Sequence, residues 1–129
     1  MNFLLDTCIL IDLLRGKTAL QDKIMEVGPD NCFVADIILA ELYVGPFKRD
    51  SDLMHRQIEW VEREFKCVVF GKSYKTYGRI RAQLEKNGLK LDSMDLLIAS
   101  IAIDNDMTFV TNNPRHFSRI PELQLLVWD

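Results

Sequence analysis

The stretch Phe3-Leu4-Leu5-Asp6-Thr7 places a short apolar run directly before a carboxylate and a hydroxyl. Such a run is typical of a buried β-strand, and Asp or Thr immediately after it is typical of the start of a helix. A carboxylate among aliphatic residues is costly to bury unless it meets a cation or several hydrogen-bond donors. The stretch therefore predicts a strand followed by a helix, with an acid at the junction that needs such partners nearby.

Two more acids stand in the same kind of apolar setting. Glu41 follows Ile37-Ile38-Leu39-Ala40, and Asp95 precedes Leu96-Leu97-Ile98-Ala99. Any one of the three acids is readily explained as a helix N-cap or a surface residue. If the fold gathers all three, their hard oxygen ligands favour Mg²⁺ or Mn²⁺ over zinc.

Strand patterns and helix patterns alternate along the chain. The predicted strands cover residues 2–5, 32–35, 67–70 and 107–111, with an edge strand at 123–127. The predicted helices cover residues 7–14, 18–27, 51–65, 74–87 and 93–105, and one more runs from Asp36 to a stop at Gly45-Pro46. This alternation predicts an α/β fold, a three-layer α/β/α sandwich with a central, mostly parallel sheet. Because ligands of such sheets bind outside the carboxyl ends of the strands, the three acids and Asn113 are expected on one rim.

The bulk composition describes one globular domain over residues 1–129. Hydrophobic residues make up 48% of the chain and charged residues 27%, and the longest apolar run, near residues 96–103, is far too short to span a bilayer. Asp6 and Asp12 interrupt the apolar N-terminus, so it does not match a signal peptide. Three cysteines without C-x-x-C spacing (Cys8, Cys32 and Cys67) are expected to be free core thiols of a cytoplasmic protein with no membrane contact.

Positive charge is concentrated in one segment of a chain whose net charge is −3. Residues 66–90 hold seven Lys or Arg and one acid, whereas the rest of the chain holds nine basic and eighteen acidic residues. On the helix predicted there, one stripe is expected to contact nucleic-acid phosphates, although a solvated face shows the same pattern. The stripe comprises Lys72, Lys75, Arg79 and Lys86, and the opposite, core-facing side comprises Tyr74, Tyr77, Ile80 and Leu84. Arg81 lies in the apolar sector, where it either extends its head group to solvent or points inward, paired with a carboxylate or guarding the acidic rim.

Five short motifs, in order and at the expected spacing, resemble the PIN-domain ribonucleases, and most closely the VapC toxins of bacterial toxin–antitoxin pairs. The motifs are Leu5-Asp6-Thr7, Leu39-Ala40-Glu41-Leu42 with Gly45, Ile80-Arg81-Ala82-Gln83-Leu84 with Gly88, Asp95-Leu96-Leu97-Ile98-Ala99, and Val110-Thr111-Asn112-Asn113 with Phe117. Each motif is weak alone, but together they cover nearly the whole chain. The ending, with Leu-x-x-Leu and Trp128, is also similar to that of the family.

The resemblance implies a PIN-like fold and a Mg²⁺- or Mn²⁺-dependent endoribonuclease. It also implies that the protein acts as a toxin, forms a homodimer and is blocked by a cognate VapB-type antitoxin, with transfer RNA as the suggested substrate. The residue roles that it implies are metal ligation by Asp6, Glu41, Asp95 and Asn113, and support of the site by Thr111. Asp92, three residues before Asp95, is a weaker ligand candidate whose alternative role is a helix N-cap.

Phosphodiester hydrolysis suits such a site, because metal ions neutralise the developing negative charge and activate a bound water. No histidine is then needed, and His55 and His116 are expected to be ordinary surface residues. Two alternatives stay open, namely a PIN nuclease that acts on DNA and a PIN domain that binds RNA or protein without cutting. A phosphatase with Asp6 as nucleophile is disfavoured, because the second acid that it needs two residues later is replaced by Cys8.

Overall fold

A sheet of five parallel β-strands forms the central layer of the protein in the computed structural model, which describes residues 1–128. The strands are β1 (Phe3–Leu5), β2 (Cys32–Ala35), β3 (Lys66–Val68), β4 (Thr108–Thr111) and β5 (Leu125–Val127). Their order in the sheet is β3-β2-β1-β4-β5, and every neighbouring pair is parallel. This architecture confirms the predicted α/β fold with a parallel central sheet.

Within residues 1–128, six α-helices connect and cover the strands. They are α1 (Thr7–Leu14), α2 (Thr18–Val27), α3 (Asp36–Lys48), α4 (Asp52–Glu64), α5 (Tyr74–Lys86) and α6 (Ser93–Asp104). Two 3₁₀ turns, Pro29–Asn31 and Pro114–His116, precede β2 and follow β4. In this described part of the chain, no helix has the length and apolar character needed to cross a membrane.

The central strand β1 is buried on both faces, which is why its sequence is continuously apolar and does not alternate. Leu4 is fully buried and stands in register with Phe33 of β2 and Phe109 of β4. Full burial of a leucine side chain contributes roughly 1.5–3 kcal/mol. The ladder continues one residue further, where the N–H of Asp6 donates to the carbonyl of Val110 at 2.9 Å. The packing of β1 therefore fixes Asp6 beside the end of β4.

Helix α3 is longer than the sequence predicts, because Gly45-Pro46 does not end it. The helix continues to Lys48, with Pro46 buried inside it. Gly45 lies against α4, since a Cβ added to it would stand 2.9 Å from the Cε of Met54. The glycine therefore leaves room for the tip of this methionine side chain, a role that its sequence pattern does not distinguish from a helix stop.

The burial of side chains near β3 and α5 also differs from prediction. Tyr74, expected in the core, is 63% exposed at the first position of α5, whereas Ile80 and Leu84 are buried as predicted. Lys72 precedes the helix and so is not part of its stripe. Cys67, expected in the core, is exposed on β3, because an edge strand lacks a neighbour on one flank.

Helix α4 begins at a side-chain cap. The hydroxyl of Ser51, the N-cap residue, accepts a hydrogen bond from the backbone N–H of Met54 at 3.1 Å. Ile58 and Val61 on this helix are buried, and α4 packs against α3. The cap therefore fixes the start of the helix that supports α3, which carries Glu41.

Replacing Ser51 with alanine is expected to lower the free energy of unfolding by about 1 kcal/mol, because the N–H of Met54 loses its acceptor. Ser51→Asp is the matched control, since an aspartate side chain also caps a helix. Urea denaturation followed by circular dichroism measures both variants. Equal stability of the wild type and Ser51→Ala would show that the cap does not stabilise α4.

Candidate active site

Asp6 lies where β1 ends and α1 begins, and three donors hold its carboxylate. It is the N-cap residue of α1, and its Oδ1 accepts from the backbone N–H of Thr7 at 2.8 Å. Its Oδ2 accepts from the hydroxyl of Thr111 at 2.8 Å and from the thiol of Cys8 at 3.4 Å. Hydrogen bonds to an ionised acceptor are among the stronger ones, so this set fixes the orientation of the carboxylate.

Thr111 is the last residue of β4 and is fully buried. While its hydroxyl donates to Asp6, the same oxygen accepts from the backbone N–H of Asn113 at 3.0 Å. One hydroxyl therefore ties the ends of two adjacent strands to the turn that follows β4. This position beside Asp6 is the one that the family resemblance suggests for Thr111.

Asp95 lies in the first turn of α6, with its side chain 20% exposed. Burial and the carboxylates of Asp92 and Asp6 raise the pKa of Asp95, and His116 opposes that shift. The Nδ1 atom of His116 is 3.4 Å from Oδ2 of Asp95. The carboxylate of Asp6, from a distant part of the chain, is therefore near enough to act on Asp95 in a partly buried place, where their negative charge is unfavourable without a cation.

Glu41 lies in the second turn of α3, and its side chain is exposed. It lines a cleft of about 570 Å³ together with Thr7, the residue that follows Asp6. The other lining residues include apolar side chains that are buried or half-buried and basic side chains that are exposed. The apolar ones are Ile11, Leu14, Leu42, Met54 and Ile58, and the basic ones are Arg15, Lys48 and Arg49. Glu41 therefore borders the site from a cleft that has both apolar and basic surface.

Asp6 is near enough to Asp95 to raise the pKa of that acid, but the structure does not join Glu41 to them in a closed cluster. Within residues 1–128, no group of three or more His, Cys, Asp and Glu side chains is arranged to hold a metal ion. The expected convergence on one rim therefore agrees with the positions of Asp6 and Asp95, and Glu41 lies in the adjoining cleft.

Two further ligand candidates differ in what their side chains do. Asp92 is the N-cap residue of α6, where it accepts from the N–H of Met94 at 3.2 Å, so it has the structural role foreseen as its alternative. Asn113 is exposed, and its side chain makes no capping bond to the 3₁₀ turn that it precedes. The neighbouring Asn112 instead bonds to Oδ2 of Asp12, at 3.1 Å. The amide oxygen of Asn113 is therefore more available to a ligand than the carboxylate of Asp92.

Two arginines of α5 have partners other than Asp6, Glu41 and Asp95. Both Nη atoms of Arg79 bond to the carboxylate of Glu122, at 2.6 and 3.1 Å, which raises the pKa of Arg79 and lowers that of Glu122. Arg81 is exposed. Its Nη1 donates to the hydroxyl of Tyr77 at 3.0 Å, and its Nε lies 3.6 Å from Oε1 of Glu85. Arg79 is therefore not a free contact of the predicted stripe, and Arg81 extends to solvent and does not guard the acidic rim.

The first half of α5 lies away from Asp95. The hydroxyl of Thr76 donates to the carboxylate of Asp104 at 2.6 Å, and Lys72 lines a small cleft with the same Asp104. Asp104 ends α6, whereas Asp95 lies in its first turn, which separates them by about 14 Å along the helix axis. Lys72 and Lys75 are therefore near the opposite end of α6 from Asp95.

The sequence did not predict several residues that contact or border Asp6 and Asp95. His116, expected to be an ordinary surface residue, lies against Asp95, and Cys8, expected in the core, is half-buried and bonded to Asp6. A second cleft, bordering Asp95, contains three basic residues, namely Lys90, Arg115 and Arg119. Arg115 and His116 come just after β4, so the rule that sites form at strand ends already points to them.

Comparison with known proteins places these features in a family. The PIN domain family matches residues 3–123. The chain is 34% identical to ribonuclease VapC2 of Rickettsia felis, over 100% of this chain and 99% of the relative. It is 27% identical to tRNA(fMet)-specific endonuclease VapC of Shigella flexneri, over 99% of this chain and 98% of that protein. Its fold is similar to that of a chain in the crystal structure of VapBC2 from Rickettsia felis bound to a DNA fragment from their promoter. The TM-score is 0.90, and the two sequences are 31% identical over 100% of both chains.

These likenesses extend over essentially the whole chain and are not confined to one motif. The matched region contains Asp6, Glu41 and Asp95 together with the strands and helices that position them. The chain therefore belongs to the PIN-domain family and, within it, to the VapC ribonucleases.

Proposed function

We propose that this VapC-type protein is a Mg²⁺- or Mn²⁺-dependent endoribonuclease and the toxin of a toxin–antitoxin pair. The observation that carries the proposal is the carboxylate of Asp6, held by the buried hydroxyl of Thr111 and near enough to Asp95 to raise the pKa of that acid. The name of the Shigella flexneri relative supports transfer RNA as the substrate. The cytoplasm, where transfer RNA is found, is the location that accompanies this proposal.

The donor chemistry of the site fits a hard divalent cation. Asp6 and Asp95 offer carboxylate oxygens, which Mg²⁺ and Mn²⁺ prefer. The raised pKa of Asp95 marks a place where a positive charge stabilises the ionised carboxylate. Glu41 and Asn113 would complete the ligand set from the adjoining cleft and from the turn after β4. When bound, the cation would neutralise charge on the phosphate and lower the pKa of the attacking water.

The residues around Asp6 prepare its carboxylate for this role. Thr111 and Cys8 both donate to Oδ2, while the N–H of Thr7 engages Oδ1, so rotation of the carboxylate would break several bonds at once. Outer residues that orient a ligand in this way reduce the rearrangement needed on binding. His116 lies beside Asp95 and limits the rise in the pKa of that acid. The site is therefore oriented by its own hydrogen bonds before substrate arrives.

Replacing Asp95 with asparagine is expected to abolish RNA cleavage while leaving the melting temperature unchanged or higher. Burial and the carboxylates of Asp92 and Asp6 raise the pKa of Asp95, so the fold disfavours the charge present at neutral pH. Because a carboxyl with a raised pKa binds its proton more tightly in the folded state, it adds stability as the pH falls through that pKa. The stability advantage of Asp95→Asn over the wild type is therefore expected to shrink as the pH is lowered through that range.

Cleavage is measured with Mn²⁺, with Mg²⁺ and with EDTA, alongside melting curves at several pH values. Asp92→Asn is the matched control, because it removes the same charge from the start of the same helix and keeps a good N-cap residue. It is expected to retain cleavage. Cleavage in EDTA, or full cleavage by a folded Asp95→Asn protein, would contradict the metal mechanism.

We also propose a VapB-type antitoxin as the partner and a homodimer as the assembly. The Rickettsia felis structure that this chain resembles is of VapBC2. The cleft at Glu41 offers what an inserted peptide needs, with apolar side chains for its apolar residues and Arg15, Lys48 and Arg49 for its acids. The carboxylate of Glu41 suits an inserted Arg or Lys. Occupation of this cleft would block the approach to Asp6 from the side of Thr7.

Expression of the wild-type protein alone is expected to arrest bacterial growth, and co-expression of its partner is expected to restore it. Asp6→Asn is the matched control, because it removes one ligand charge and, at the same soluble level, is expected to permit normal growth. Growth curves with quantified soluble protein measure the effect. Normal growth of cells that contain abundant soluble wild-type protein would count against the toxin function.

A further inference from the structure

A second cleft, distinct from the one at Glu41, borders Asp95. Its volume is about 270 Å³. Leu91 is the one apolar side chain among its lining residues, and the others are charged or ionisable, namely Lys90, Asp92, Asp95, Arg115, His116 and Arg119. Charged and ionisable head groups therefore outnumber apolar side chains at this cleft, which suits a small charged group.

The turn after β4 fixes two of the basic residues at this cleft. Phe117 is fully buried, with its ring centroid 4.6 Å from that of Phe109. Ile120 is also buried. Because Phe117 and Ile120 point into the core, the intervening and flanking Arg119 and Arg115 are left exposed at the cleft. Core packing, and not a flexible loop, therefore sets the positions of these arginines.

The third basic residue comes from the connection between α5 and α6. The backbone carbonyl of Lys90 accepts from Nη1 of Arg119 at 3.3 Å, and the side chain of Lys90 is exposed. This bond uses one of the five N–H donors of the guanidinium and leaves the others available. Two segments distant in sequence are therefore joined at the cleft by a hydrogen bond.

These three cations have no carboxylate partner among the described residues. In residues 1–128, the ion pairs are Lys17 with Asp12, Arg79 with Glu122, Arg81 with Glu85 and His116 with Asp95. Carboxylates are nearby, since Asp92 and Asp95 line the same cleft, and the whole chain holds more acidic than basic residues. Even so, none of the described carboxylates forms an ion pair with these three cations. Fixed positive charges beside an acidic centre offset the repulsion that its carboxylates exert on a polyanion.

We propose that Lys90, Arg115 and Arg119 form a subsite for a backbone phosphate of the RNA, next to the phosphodiester that is cleaved at Asp6 and Asp95. The inference rests on the proposed ribonuclease function and adds to it the path of the strand past Asp95. Arginine forks match phosphate oxygens in geometry, and lysine adds a point charge. Because a phosphate contact carries no sequence information, the subsite strengthens the binding of RNA of any sequence.

The test is the binding of a labelled single-stranded oligouridylate, followed by fluorescence anisotropy over a range of salt concentrations. EDTA is present so that no cleavage occurs. Lys90→Ala and Arg115→Ala are each expected to weaken binding and to reduce the slope of log K against log salt by up to about 0.7, the whole contribution of the one single-strand phosphate that the subsite holds. Lys23→Ala is the matched control, because it removes one exposed charge from α2, which contributes no residue to either cleft, and it is expected to leave the slope unchanged. Lys75→Ala tests the rival stripe on α5.

An unchanged slope in Lys90→Ala and Arg115→Ala, with melting curves like that of the wild type, would overturn the subsite. A reduced slope in Lys75→Ala alone would overturn it too, because the contact would then belong to the α5 stripe. Intact RNA binding combined with loss of antitoxin binding in the two cleft variants would assign the cleft to a protein partner instead. Failure of the ribonuclease function would be visible separately, as no cleavage by the wild type in Mn²⁺.

Discussion

The hydrogen bond from the hydroxyl of Thr111 to Oδ2 of Asp6 is the contact on which the rest of the site depends. It joins the carboxyl ends of two adjacent strands, and the same hydroxyl holds the N–H of Asn113 in the turn that follows. Thr111 is fully buried, and a buried polar group without a partner costs roughly 1–3 kcal/mol. Asp6 and Thr111 therefore keep each other in place, and the sheet delivers a carboxylate of fixed orientation.

A centre built from carboxylates must still accept an RNA strand, which is itself negatively charged. The two clefts that border the centre resolve this conflict in different ways. The cleft at Glu41 holds several apolar side chains beside basic ones, which suits a peptide, whereas the cleft at Asp95 is lined by charged or ionisable residues and one leucine, which suits a phosphate. A partner protein and the RNA would then approach the same acids from separate surfaces.

The order of strands and helices was predictable because it depends on local periodicity and on turn residues. The position of Asp6 at the end of β1, beside the end of β4, followed from the rule that ligands gather at the carboxyl ends of parallel strands. The ion pair of Arg79 was not predictable, since its partner Glu122 is 43 residues away and comes near only in the folded chain. Gly45 shows a different limit, because one local pattern serves both a helix stop and a position that leaves room for a neighbouring side chain. At Asp95, the strand-end rule already points to Arg115, which comes just after β4, whereas Lys90 and Arg119 reach the cleft only through the packing of the folded chain.

The most direct test of the account is a crystal of the protein grown with Mn²⁺ and examined by anomalous scattering at the manganese edge. The account predicts a manganese peak contacted by the carboxylates of Asp6 and Asp95, and no such peak in crystals of Asp6→Asn grown in the same way. A saturated crystal of the wild type with no manganese at these two carboxylates, or with manganese bound only elsewhere, would contradict it.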